Sequence, residues 1–254
     1  MIAVFVNCAA VIIGSIIGLL FAKKITTELS DVISTGAGIV TIVLGVQMAF
    51  SYQNVIYLTL SLIIGGIIGS AADIDGKILS LGTLIEKGIS KNRKGPSVSL
   101  ADSQIPPVKS NFAYAFLNAS VLFCVGAMAI LGSFQAGINN DYSIIFTKSV
   151  LDGFMSIAFV AAMGLGTAFS AVSIFIYQGL LTLLSQFVSP FVSDVMLKEL
   201  TGVGGSIIIM IGINLLHLRK IKTANFLPSI LIIVLLVLLT PLFDKIASFF
   251  HNFI

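Results

Sequence analysis

Apolar residues run along this chain in blocks of about twenty, separated by short polar connections. A transmembrane helix needs about 20 mostly apolar residues. Eight blocks approach that length: 3–22, 33–50, 53–72, 112–131, 143–165, 168–188, 201–218 and 226–243. The second is rich in Gly, and the last is bounded by Pro228 and Pro241. Short or glycine-interrupted spans tilt, break or re-enter. The pattern predicts an all-α, polytopic transmembrane bundle of about eight spans. Three regions follow: residues 1–72 with three spans, 73–110 between spans, and 111–254 with about five.

Composition agrees. Hydrophobic residues make up 57% of the 254 and charged residues 10%, and the mean hydropathy is +1.09. Soluble domains average about 25% charged residues, so too few charges remain here to cover a water-facing surface. The lipid bilayer is the expected solvent. The net charge of +3 does not indicate nucleic acid, because the charges sit between apolar runs. Cys8 and Cys124 both lie inside such runs, which favours small packed hydrophobes over a disulfide or zinc site.

Lys and Arg set the orientation. The connections after spans one, three and seven hold eleven of the 14 basic residues. With eight spans these three connections share one side. The expectation is that these connections are cytoplasmic and both termini lie outside. The opening MIAVFVNCAAVIIG has no basic residue before its apolar run, and Lys23 and Lys24 follow it. That order describes a retained first span rather than a signal peptide.

Segment 73–110 begins amphipathically, with Ile78, Leu81, Ile85 and Ile89 near helical spacing. It predicts a helix on the cytoplasmic surface, followed by a proline-containing linker. Asp73 and Asp75 read as solvated interface carboxylates.

Two similarities recur. IIGSIIG (12–18) and IIGGIIG (63–69) are small-residue packing faces. Residues 34–50 also resemble 201–217: Gly38, Gly45, Val46 and Gln47 match Gly205, Gly212, Ile213 and Asn214, each 167 residues later. Spans two and seven cross in opposite directions. The pattern suggests an inverted repeat, spans 1–3 against spans 6–8, as in secondary transporters.

Polar groups inside hydrocarbon are costly. Asn7, Gln47, Asn118, Gln178 and Asn214 are amides in or at the edges of spans, as interhelical glue or as a polar path. In this topology Asn7, Gln47, Asn118 and Gln178 fall toward the outer half, and Asn214 and His217 toward the inner end. His217, beside Arg219, reads as interfacial. Asp152 is the one clearly intramembrane acid. A helix starting near Asp141 puts Lys148 roughly 10 Å and Asp152 roughly 16 Å along its axis. Lys148 can snorkel to the interface, whereas Asp152 needs a polar partner or a cavity. Both a structural lock and a pathway role stay open. GTAFSA (166–171) could break the next helix and bring Ser170, Tyr177 and Gln178 to the same place.

No nucleophile elbow, P-loop, metalloprotease helix or metal-ligand spacing is present in the sequence. The expectation is a non-enzymatic protein without a cofactor or metal.

Residues 124–179 resemble a bacterial integral-membrane family, domain of unknown function 554. The features are Gly126-Ala127-Met128 with Gly132, Gln135-x-Gly137, Asp141, Lys148-Ser149, Leu151-Asp152-Gly153, Phe169-Ser170-Ala171 and Tyr177-Gln178-Gly179. The N-terminal VN…IIGSIIGLL and the glycine helix at 36–48 also fit. The chain departs at Ala127, where the family often has Pro, and at Ala136, where it often has an acid. The resemblance implies a polytopic inner-membrane protein and makes the Lys148–Asp152 pair a family feature. The expected function is transport of a small solute or ion, with a site near the bilayer midplane formed by the residues named above. The alternative is a membrane scaffold or sensor that uses 73–110 as its partner site. A homo-oligomer is compatible with either.

Overall fold

The computed structural model describes residues 1–22, 27–78, 80 and 112–251. Among these residues the regular elements are helical. The long helices are α1 (Ile2–Ala22), α2 (Thr27–Ala49), α3 (Val55–Ala71), α4 (Phe112–Cys124), α5 (Ala127–Ile138), α6 (Ser143–Met163), α7 (Gly166–Leu183), α8 (Asp194–Leu215) and α9 (Pro228–His251). Six segments are long and apolar enough to cross a membrane, in α1, α2, α6, α7, α8 and the stretch 223–241 that opens α9. The bent pair α4–α5 makes up to a seventh. At 17 residues, α3 is apolar but shorter.

Around an apolar core, two helices also turn polar stripes inward and apolar side chains outward, against the usual trend of soluble proteins. On α6 the buried face carries Lys148, Ser149, Asp152 and Ser156, one turn apart, and the exposed face carries Phe146, Val150, Leu151 and Phe154. On α7 the buried face carries Thr167, Ser170, Gln178 and Thr182, with Val172, Phe175, Ile176 and Leu180 outward. Such faces are stable only if the surroundings are apolar. Several buried hydroxyls are used locally: Ser149 donates to the Ile145 carbonyl (2.7 Å) and Ser156 to that of Gly153 (2.7 Å), whereas those of Thr167 and Thr182 have no protein partner.

Helix ends are set by polar residues. Asn54 caps α3, its Oδ1 accepting from the Ile56 and Tyr57 N–H groups. Ser193 caps α8 by accepting from the Met196 N–H (3.2 Å). Asp141 accepts from the Ser143 N–H (3.0 Å) and hydroxyl (2.6 Å) where α6 begins.

The elements differ from the sequence expectation in two places. The fourth apolar block is not one straight helix: it turns by 62° between α4 and α5. Gly126 sits at the turn with φ +127°, a region open essentially to glycine alone. The GTAFSA stretch is not a break. It is the continuous start of α7, and the chain turns just before it, at Gly164 with φ +93°. Helix α9 continues through Pro241, where the apolar crossing stretch ends. The expected surface helix and linker of 73–110 lie largely outside the described residues, as does a partner site there.

Glycines decide which helices meet. A Cβ on Gly45 would lie 2.9 Å from the Gly205 carbonyl oxygen, and one on Gly212 would lie 3.0 Å from that of Gly38. Thus α2 and α8 pack antiparallel, backbone on backbone. Helix α3 packs antiparallel on α9, with Gly65 against Ser229 and Tyr57 Oη 3.1 Å from Thr240 Oγ1. Helix α1 packs antiparallel on α7, with the Phe5 and Phe175 rings 5.5 Å apart and Cys8 Sγ donating to the Ala171 carbonyl (3.4 Å). Helix α1 also runs parallel to α6, where Gly14 and Gly18 meet the backbone at Gly153 and Ile157.

Candidate functional site

The centre of the site is built by α6. Its polar stripe turns inward, and Lys148 Nζ lies 2.5 Å from Asp152 Oδ2. Both residues are only 6% exposed. Lys148 therefore does not snorkel: its ammonium stays inside the bundle, held by the carboxylate one turn away. Helix α1 supplies Asn7, fully buried, whose Nδ2 donates to Asp152 Oδ2 (3.2 Å) and to Gln178 Oε1 on α7 (3.1 Å). Lys148 and Asn7 thus converge on one carboxylate oxygen, and Gln178 joins the network only through Asn7. Asn7 Oδ1 and Gln178 Nε2 are buried without a protein partner.

The two Asp152 oxygens are unequal. Oδ2 takes both the Lys148 and the Asn7 bond, while Oδ1 takes none and is not enclosed by protein. The pair borders a cavity of about 430 Å³. Its walls come from α2 (Gln47, Met48), the α4–α5 turn (Phe123, Gly126), α6 (Asp152) and α8 (Thr201). An ion-pair lock and a cavity are therefore not alternatives here, because the locked pair forms part of the cavity wall. Span seven contributes through Thr201, but the span-six side chain Gln178 reaches Asp152 from the other side, through Asn7.

The remaining sequence candidates separate. Gln47 lies at the exposed rim of this cavity. Tyr177 lines a second, more apolar cavity of about 520 Å³, together with Phe112, Phe116 and Leu200. Val125 and Gly126 border both cavities, so the turn in the broken helix forms a shared wall. Ser170 donates to the Thr167 carbonyl (2.6 Å) on its own helix.

Asn118 does not lie toward the outer half. Its Oδ1 accepts from the Thr223 hydroxyl (3.1 Å), and its Nδ2 lies 3.8 Å from Met163 Sδ. It belongs to the opposite end, six residues into α4. Asn214 closes the connection after α8, donating to the Ile221 carbonyl (2.9 Å) and accepting from the Ile221 N–H (2.7 Å). His217 is exposed and ends α8 with φ +56°. Asp73 is exposed and pairs with exposed Lys222 at 3.6 Å. Asp75 is buried rather than solvated, and its N–H donates to Asn225 Oδ1 (2.9 Å).

Glu199 escaped the sequence reading. It is 1% exposed, and its Oε1 accepts the N–H groups of Gln53 (3.0 Å) and Asn54 (2.7 Å), tying α8 to the start of α3. In the sequence it sits beside Lys198 and reads as part of a polar connection. A helix starting at Ser193 rather than 201 would have brought it inside.

Inward-facing charges, outward-facing hydrophobes and a broken helix define a multi-pass helical membrane protein. The chain belongs to the family described as a protein of unknown function, DUF554, whose model matches residues 2–238. It is 32% identical over 230 residues to the uncharacterized membrane protein YdfK of Bacillus subtilis (strain 168), covering 89% of this chain and 91% of the relative. It is 22% identical over 228 residues to the uncharacterized protein YqgA of Escherichia coli (strain K12), covering 90% and 92%. No solved structure matches.

Proposed function

We propose that this protein is a secondary transporter moving a small solute or ion across a bacterial inner membrane by alternating access. One observation carries the reading. A buried, opposite-charge pair forms the wall of a cavity beside a helix broken within the apolar region. Charges within membrane spans mark pathways, and discontinuous helices place their ends at transported solutes.

The packing supports an inverted repeat. Helices α1, α2 and α3 each lie antiparallel against α7, α8 and α9, the segments five spans later. The glycine contacts are reciprocal: Gly38 meets Gly212 and Gly45 meets Gly205, although the sequence alignment equates Gly38 with Gly205. A two-fold relation between the halves produces such an exchange. With α4–α5 as one crossing, these directions fit eight crossings with both termini outside. The protein acts on its cargo without covalent chemistry.

The test is flux into proteoliposomes across a panel of inorganic ions, amino acids and small organic acids. Wild-type protein moves at least one of them above empty vesicles. Asp152→Asn and Lys148→Met lower that flux about ten-fold or more, while the Asn variant still melts cooperatively. Failure to move any member, or unchanged flux in both variants, overturns the proposal.

A further inference from the structure

Besides Gln47 and Ser51, which also line the 430 Å³ cavity, two kinds of unspent polar group lie on different walls. One is an acceptor: Asp152 Oδ1 carries no protein hydrogen bond, although Asp152 as a whole is only 6% exposed. The other is a set of donors. Helix α5, twelve residues long, begins at Ala127 on the cavity wall, and no side chain caps it. N–H groups in the first helical turn have no partner within the helix, and the terminus carries roughly half a positive charge. A capping Ser, Asp or Asn is what such an end ordinarily receives. Here Gly126 occupies that place, with no side chain and a φ of +127°, so no side chain covers the donors, and the residues that carry them line the cavity.

Between these two groups the lining is apolar and pliable: Met48, Leu122, Phe123 and Met155. Thioether and aromatic side chains adapt to varied apolar shapes. Lys148 is not the free cation of the site, because Asp152 Oδ2 engages its ammonium at 2.5 Å. The pair is close to neutral as seen from the cavity, and the field that remains is polarised, negative at Oδ1 and positive at the start of α5.

We infer that the cavity binds a small amphipathic zwitterion, of the class of an α-amino acid with an apolar side chain. Its ammonium meets Asp152 Oδ1, its carboxylate meets the open N–H groups at Gly126–Met128, and its apolar body lies against the Met and Phe wall. A simple organic acid would leave Oδ1 bare beside a second negative charge. A simple amine would leave the α5 donors unmet. The volume falls in the range of about 300–1,000 Å³ usual for small-molecule sites. This assignment rests on the transport reading above and narrows its cargo.

Matched probes separate the possibilities. Leucine, 4-methylpentanoate and 3-methylbutylamine share the apolar body and differ in their charged groups. Binding to the purified full-length protein is read by the ligand-dependent rise in melting temperature and by calorimetry. Leucine, or another apolar amino acid in a short series, binds about ten-fold or more tighter than the acid or the amine, as expected for a lost polar contact of roughly 1.4 kcal/mol. Ala127→Phe fills the cavity beside the α5 start and abolishes that binding. If this variant does not fold, Met155→Trp fills the same space from α6.

Equal or tighter binding of the acid or the amine overturns the zwitterion while leaving transport intact. So does the absence of amino-acid binding in a protein that still moves inorganic ions. Loss of all flux removes the transport reading itself.

Discussion

Lys148 and Asp152 are one helical turn apart, and the structure gives them separate environments at their far ends. Asp152 is held through a single oxygen, by Lys148 on its own helix and by Asn7 on α1. Removing its partner leaves a buried charge without compensation. Lys148→Met is expected to destabilise the protein by about 3–5 kcal/mol, and the double variant Lys148→Met/Asp152→Leu to recover most of that loss. Melting in detergent across the four proteins of the cycle checks this. Additive losses would mean that the pair is not energetically coupled.

A milder electrostatic effect operates at Asp141. The Ser143 hydroxyl and N–H stabilise its charged form, holding its carboxyl below the ordinary value of 3.8. A depressed acid contributes stability above its unfolded value and loses it as pH falls through the folded value. Ser143→Ala is expected to raise the Asp141 midpoint toward 3.8, as read by carboxyl-carbon NMR titration. An unchanged midpoint would show that the hydroxyl bond does not form in solution.

At the scale of elements, apolar run length was enough to locate most helices. Residues 3–22, 53–72 and 143–165 correspond closely to α1, α3 and α6. The turn at Gly126 was not legible, because Val125, Gly126 and Ala127 are all compatible with a buried helix and hydropathy does not record backbone angles. Gly164 was overlooked for the same reason, and the break was placed instead on the nearby small residues of GTAFSA. The Asn7–Asp152–Gln178 convergence required three helices to be brought together, which periodicity on any single helix does not specify.

The glycine contacts between α2 and α8 had a clear sequence signature, and they give an element-level prediction. A side chain at Gly205 would meet the Ala49 N–H and the Gly45 carbonyl of the facing backbone. Gly205→Leu should cost about 1–3 kcal/mol by overpacking. Gly36, where a Cβ would meet nothing within 4 Å, should tolerate Leu. Comparing the melting of the two variants checks the contact, and equal effects would refute it.

For the whole molecule, the basic residues and the packing directions agree on how the ends divide. The Asp73–Lys222 pair places the end of α3 and the connection after α8 on one face. The proposed eight-crossing arrangement puts Ser51, Asn140 and Ser189 on the other. After Cys8 and Cys124, both free thiols, are replaced by Ala, single cysteines at 51, 140 and 189 are expected to react with a membrane-impermeant maleimide added to intact cells. Cysteines at 73 and 220 are expected to react only after lysis. Labelling of both sets in intact cells would overturn the eight-crossing arrangement.

Helix α3 has a further bearing at this scale. Asn54 and Glu199 fix where it begins, and Asp73, at φ +44°, follows its end. Its 17 residues span only about 25 Å, against roughly 30 Å of hydrocarbon. In the proposed eight-crossing arrangement α3 is the third crossing, and its shortfall is met by local thinning of the lipid or by snorkelling of flanking side chains, at a cost of fractions of a kcal/mol per ångström. In that arrangement membrane thickness is a mechanical variable: thick bilayers strain the α3–α9 edge, and thin ones relieve it.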